Sequence, residues 1–312
     1  MSTTYTPVRA SSPRRLRIRG LDYHLETWGN TDLATADRPL LLMLHGWMDV
    51  GASFQFVVDA LAEREGAQRW IAAPDWRGFG RSSSTADAYW FPDYLGDLDA
   101  IVDALSPDAP IDLLGHSMGG NVVMAYAGVR PERVRCVVNL EGFGLPATRA
   151  DEAPKRWRQW LDELKVPSGF RPYANADEVA ARLQTTNPRL SPDKAAWLAR
   201  QWAAPDAEGR WHLLADGAHK RVNPVLYRAD EAVATWAAIE APLLWVEGAE
   251  TDVSKWWGQR YPRSEFEARL AHVPRCERET LPACGHMLHH DQPERLAARL
   301  IEFLGRQGLA PG

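Results

Sequence analysis

DLLGHSMGGNVVMAYA, residues 112–127, opens as an apolar run, passes through Gly115-His116-Ser117-Met118-Gly119-Gly120 and then returns to helical spacing. One serine set between glycines, where a strand hands over to a helix, matches the pattern G-x-S-x-G. In that setting the glycines relieve crowding in a tight turn, and the turn holds the serine strained with its hydroxyl exposed above a sheet. The helix N-terminus that follows favours negative charge beside it. Ser117 is therefore the expected nucleophile, and the strand-turn-helix context is what gives a five-residue match its weight.

Outward from this turn the chain alternates. RRLRIRGLDYHLETWG (14–29) reads as an antiparallel hairpin, with its arginines on the outward face. PLLLMLHG (39–46) is a solid apolar run ending in glycine, as a strand buried on both faces reads. FQFVVDALAERE (54–65) and YLGDLDAIVDAL (94–105) have helical spacing. RWIAAPDWRGFGRSS (69–83) is a short strand with a glycine-rich loop, and RCVVNLEG (135–142) is another strand. Such alternation implies right-handed crossovers and a mostly parallel sheet flanked by helices.

Between residues 145 and 235 the rhythm breaks into helical stretches without a buried strand. APLLWVEGAETD (241–252) restores the strand signal, CERETLPACGH (276–286) adds a last edge strand, and QPERLAARLIEFLG (292–305) closes with a helix. The expected organisation is a loose N-terminus over 1–12, a core over 13–144 and 236–308, and a helical cap over 145–235. A cap inserted after the sixth strand, at the carboxyl ends of the strands, would roof a site placed there.

A serine hydroxyl reacts only when a base takes its proton and an acid orients the base. Among nine histidines, His286 follows a glycine after the final strand signal and precedes the last helix, the place for the base. His45 and His116 belong to loops with other roles, while His289 and His290 begin a helix or face the pocket rim. For the acid, Asp252 lies just past a strand tip and gives the chain order Ser, Asp, His, so it is preferred. Glu141, at the tip of the preceding strand, is the alternative, and Glu250 is a third choice. The oxyanion formed on attack needs donors, which the backbone N–H groups of Trp47, in LHGWMD, and Met118 would supply.

Taken in order, LHGW, PDWRGFGRS, GHSMGG, LLWVEGAETD and CGHMLHHDQPE identify the chain as resembling the α/β-hydrolase fold superfamily, in its lidded esterase and lipase-like branch. The resemblance covers nearly everything outside the insertion. It implies a serine hydrolase that cleaves a carboxylic ester through an acyl-enzyme, needs no cofactor or metal, and reads DWRGFGRS as a structural loop. Thioester, lactone and carbon–carbon bond hydrolysis or perhydrolysis on the same residues, and a non-catalytic ligand-binding protein, are the rival readings. The spacing from Gly248 to Asp252 is one residue longer than the common G-x-x-D form, which keeps Glu141 open. Serine rather than aspartate at the nucleophile position speaks against the dehalogenase and epoxide-hydrolase branches.

Composition bounds the rest. Hydrophobic residues make up 45% and charged residues 25%, the mix of a globular protein, and the net charge of −5 carries no block that would point to nucleic acid or a membrane surface. Three irregularly spaced cysteines fit neither a disulfide framework nor a zinc site. No apolar run has the length of a membrane span or of a secretory signal, so a cytoplasmic protein, monomeric or homodimeric, acting on a small ester is expected. Of the fourteen tryptophans, six fall between residues 150 and 240. With Phe143, Phe170 and Tyr173 they fit an apolar or aromatic pocket, though most are expected to pack the cap.

Overall fold

The computed structural model describes residues 4–85 and 87–307. Residues 1–3 and 308, which the sequence reading places in the loose N-terminus and the core, lie outside the described residues. The hairpin of β1 (Ser12–Ile18) and β2 (Leu21–Trp28) leads into β3 (Leu41–Leu44), α1 (Gln55–Glu65), β4 (Ile71–Pro74) and α2 (Phe91–Leu105). Then come β5 (Ile111–His116), α3 (Met118–Val129) and β6 (Val134–Leu140).

The insertion holds α4 (Ala153–Glu163), α5 (Ala176–Thr186), α6 (Pro192–Trp202) and a ribbon of β7 (Ala203–Pro205) with β8 (Trp211–Leu213). After α7 (Ala229–Ala237) the chain finishes through β9 (Leu243–Gly248), α8 (Ser254–Trp257), α9 (Arg263–Leu270), β10 (Cys276–Leu281), α10 (Leu288–Asp291) and α11 (Pro293–Arg306).

Eight strands form one sheet in the order β1-β2-β4-β3-β5-β6-β9-β10, antiparallel at the hairpin end and parallel from β4 onward. The solid apolar runs are explained by two covered faces. Leu42, Leu44, Leu113, Leu243 and Trp245 pack with α2, α3, α7 and α9, whereas Leu41, Met43, Leu114, Leu244 and Val246 pack with α1 and α11. With side chains alternating at period two, a strand buried on both sides leaves few positions for polar residues, and those it holds, such as Asp112 and Asn139, are hydrogen-bonded.

Three expectations need correction. The segment before β1 is docked: Asp59 on α1 accepts the Val8 and Arg9 amides at 3.0 and 2.8 Å and the Tyr5 hydroxyl. The Tyr5 ring packs edge-on against Phe56 of α1 and Trp197 of α6. Residues 229–235 belong to the core rather than the cap, because α7 lies on α3 so closely that a Cβ at Gly128 would stand 2.0 Å from the Thr235 carbonyl oxygen. The cap also contains the small antiparallel ribbon β7–β8, too short for its pattern to register in the sequence.

The cap has its own apolar centre, with Val179, Leu183, Leu198 and Ala199 closing on Phe56 of α1. It is tied to the core by the DWRGFGRS loop, where Gly80 donates to the Leu214 carbonyl at 2.7 Å and Asp216 donates to the Gly78 carbonyl at 2.8 Å. That loop is itself held by Arg77, which grips buried Asp97 through Nε at 2.5 Å and Nη2 at 2.6 Å. Its structural reading agrees with these contacts.

Candidate active site

Ser117 sits between β5 and α3 with φ 52° and ψ −112°, a backbone state that costs a non-glycine residue about 1–3 kcal/mol. The surroundings enforce it. Its amide donates to the Leu140 carbonyl at 2.8 Å, and its own carbonyl accepts the Asn121 amide at 3.0 Å. The flanking glycines are required by close approach: a Cβ at Gly115 would stand 2.2 Å from the Gly119 oxygen, and one at Gly119 would stand 2.1 Å from the Leu44 oxygen.

Glu141, immediately after β6, has φ 56° and is buried. The turn at this residue sends its carboxylate along the neighbouring strand tip. There Oε1 accepts the Gly248 amide and the Thr251 hydroxyl, both at 2.6 Å, and Oε2 lies 2.6 Å from His286 Nδ1. Three hydrogen bonds offset the desolvation of a buried carboxylate. With Nδ1 donating to Glu141, the His286 Nε2 is left with a lone pair. The ring is partly exposed, lies edge-on to Trp256 at 4.7 Å between centroids, and lines the same cavity as Ser117.

Asp252 is not at the histidine. It is exposed, and its Oδ1 accepts the Ser254 amide at 3.0 Å and the Ser254 hydroxyl at 2.6 Å, bonds that hold its carboxyl below the usual range. Its occupation is the start of α8. The reason for the correction is positional: the extra residue after Gly248 carries Asp252 beyond the strand tip, and Thr251 and Gly248 serve Glu141 instead. Glu250 pairs with Arg189 on the surface.

The amides of Trp47 and Met118 have no acceptor among the described residues. Both residues line the cavity beside Ser117. His45 is buried and locks two loops, its Nε2 accepting the Trp76 amide at 2.9 Å while its Nδ1 donates to the Gly46 carbonyl at 2.7 Å. His116 uses Nε2 to donate to the backbone carbonyl of His286 at 2.8 Å, a positioning contact that the sequence reading missed because His116 looked like part of the turn. His290 borders the cavity, whereas His289 is fully buried beneath it rather than on the rim.

The cavity measures about 1760 Å³ and lies between the sheet and the cap. Trp160, Trp202 and Trp236 line it, as do Phe143, Phe170 and Tyr173, while Trp157, Trp197 and Trp211 do not. Half of the six tryptophans thus serve the pocket, a larger share than expected. His219 stacks between Phe79 and Tyr89 at 3.7 and 3.6 Å, and burial holds its imidazole down at about 4.

A strand order of this kind, with a serine on a strained strand-to-helix turn under a helical cap, defines a hydrolase architecture. The family model described as alpha/beta hydrolase fold matches residues 39–293, and the chain belongs to that family. It is 28% identical over 250 residues to a serine hydrolase-like protein of Danio rerio, covering 78% of this chain and 73% of that one. It is 26% identical over 302 residues to an epoxide hydrolase of Caballeronia sordidicola, covering 85% and 87%. Among solved structures it resembles a thioesterase domain from the curacin biosynthetic pathway, with a TM-score of 0.79 and 24% identity over 94% of this chain and 99% of that one. Among the described residues no helix is long and apolar enough to cross a membrane.

Proposed function

We propose that this hydrolase cleaves a carboxylic ester of a small, apolar or aromatic substrate through an acyl-enzyme, with Ser117 as nucleophile, His286 as base and Glu141 as the orienting acid. The observation that carries the reading is a strained Ser117 facing the same cavity as a histidine whose Nδ1 is held 2.6 Å from a buried carboxylate. In the first step His286 Nε2 takes the Ser117 proton as the hydroxyl oxygen attacks the acyl carbon. The unpaired amides of Trp47 and Met118 receive the oxyanion, and His286 returns the proton to the departing alcohol. Water then repeats the sequence and releases the acid. A mainly apolar lining that includes Trp160, Trp202, Phe143 and Phe170 suits an apolar acyl or aryl group.

The test is labelling by a fluorophosphonate, combined with turnover on a panel of p-nitrophenyl esters, acyl thioesters, aryl diketones and a styrene-type epoxide. Wild type should be labelled and favour the esters, and Ser117→Ala and His286→Ala should lose both labelling and turnover. An unlabelled, inactive wild type would return the protein to the ligand-binding reading. Preference for the thioester or the diketone would move the substrate class on an unchanged mechanism, whereas epoxide opening that survives in Ser117→Ala would remove the serine from the chemistry.

A further inference from the structure

Beside Ser117, three buried side chains from separate parts of the chain converge. Asp49 comes from the loop after β3, His116 from the end of β5 and His289 from α10, with exposures of 3%, 2% and 0%. One ligand atom from each lies within 4.8 Å of the other two. Their hydrogen bonding is incomplete. Asp49 Oδ1 accepts the Val50 amide at 2.8 Å and the Ser53 hydroxyl, but Oδ2 has no partner among the described residues. His116 Nδ1 and both ring nitrogens of His289 are likewise without one, and His289 Nε2 stands 3.7 Å from Asp49 Oδ2, too far for a hydrogen bond.

The His116 tautomer follows from its other contact. Because Nε2 donates to the His286 carbonyl, the neutral ring carries its lone pair on Nδ1. In the His289 tautomer that turns its lone pair inward, a carboxylate oxygen and two imidazoles offer three acceptors to one small volume, and a water molecule has only two hydrogens to give. A cation serves all three. Two nitrogens and one oxygen suit a borderline-soft dication far better than calcium or magnesium, which take oxygen ligands. A tetrahedral ion of this class sets its ligands about 3.3 Å apart, so the three need only a modest inward adjustment. The bond from His116 to the His286 carbonyl is the kind of outer contact that orients metal-binding histidines. Asp49 and His116 also border the cavity, which gives an ion its way in.

We propose that Asp49, His116 and His289 bind one first-row transition-metal dication of the zinc class, through a histidine that adjoins the nucleophile in the chain. Such an ion is held by the residue that precedes Ser117 and that bonds the His286 backbone, so its binding re-aims His286 and slows acyl transfer. The binding stands without the hydrolase reading; only the inhibition rests on it.

The 312-residue chain, stripped with EDTA, is titrated with Zn²⁺ by calorimetry and with Co²⁺ by visible absorption. The expected result is one site per chain, with cobalt ligand-field bands of a nitrogen and oxygen set. His289→Ala and the isosteric Asp49→Asn should each weaken binding more than about tenfold, beyond the lower end of what losing an outer partner costs. Removing the more exposed His212 and His272 together should leave it unchanged. Should a variant unfold, the histidine ring signals of wild type decide by NMR: those of His116 and His289 shift on adding Zn²⁺ if the site is real. Absence of stoichiometric binding, binding that survives His289→Ala, or shifts confined to other histidines would overturn the proposal and leave a hydrated polar pocket. Fluorophosphonate labelling with and without Zn²⁺ reads the inhibition separately, since a protein that binds zinc yet is never labelled would fail the hydrolase reading alone.

Discussion

At the scale of single residues, the decisive contrast is between two carboxylates that look alike in the sequence. Glu141 and Asp252 each follow a strand signal and each precede His286 in the chain. The positive φ at Glu141 turns its side chain towards the next strand tip, and positive φ at a residue other than glycine is not visible in a one-dimensional pattern. The spacing after Gly248 was the one legible warning. The placing of Ser117 and His286 on one cavity, by contrast, is foreshadowed by a glycine-framed turn and a glycine before the last helix, which mark their surroundings directly. Replacing Glu141 with Gln keeps the shape but presents the wrong partner to His286 Nδ1. Glu141→Gln should therefore lower kcat by about 10⁴ with little change in KM, and Asp252→Asn should leave kcat within about threefold of wild type. Steady-state rates on the preferred ester check both, and the reverse ranking would return the acid to Asp252.

At the scale of elements, the turn before α3 depends on backbone meeting backbone. No side chain can yield at Gly119, because the atom a Cβ would strike is the main-chain oxygen of Leu44. Gly119→Ala should lower stability by about 1–3 kcal/mol, measured as a shifted urea midpoint at constant m-value. Labelling of Ser117 should fall with it, since the strained turn and the packing are one feature. An alanine that costs nothing would show that α3 is free to move away from β3. The strands of the sheet were legible for the opposite reason: burial on both faces leaves runs such as Leu41–Leu44 wholly apolar. The ribbon β7–β8 was not, because three-residue strands are too short to display a period.

At the scale of the whole molecule, packing the cap on the sheet encloses histidines that the chain would otherwise expose. Burial holds His45 and His219 below their ordinary value, with His219 at about 4. In the unfolded chain both rings take up a proton as pH falls through about 6.5, whereas in the folded protein they stay neutral to lower pH. The unfolded state then binds more protons, so stability is fully present above about pH 6.5 and declines as acid is added towards about pH 4. His219 alone should contribute a loss on the order of 2 kcal/mol at pH 5 relative to pH 7.5, read as a lower urea midpoint, and His219→Gln should flatten the profile. A midpoint that rises on acidification would contradict the sign. Cap boundaries were the least legible feature at this scale, because α7 has the composition of a cap helix and only its seat on α3 assigns it to the core.

The docking of Tyr5 reaches furthest into practice. Its hydroxyl is anchored on α1, its ring touches Trp197 on α6, and its amide donates to the Asp193 carbonyl at 3.4 Å, so a few leading residues rope the roof to the wall beneath. A recombinant version trimmed to the first strand loses that rope along with its apparent tail. Trimmed and untrimmed preparations therefore differ in how the cap is tied to the core, and comparing their rates on one substrate shows whether that tie matters to the cavity.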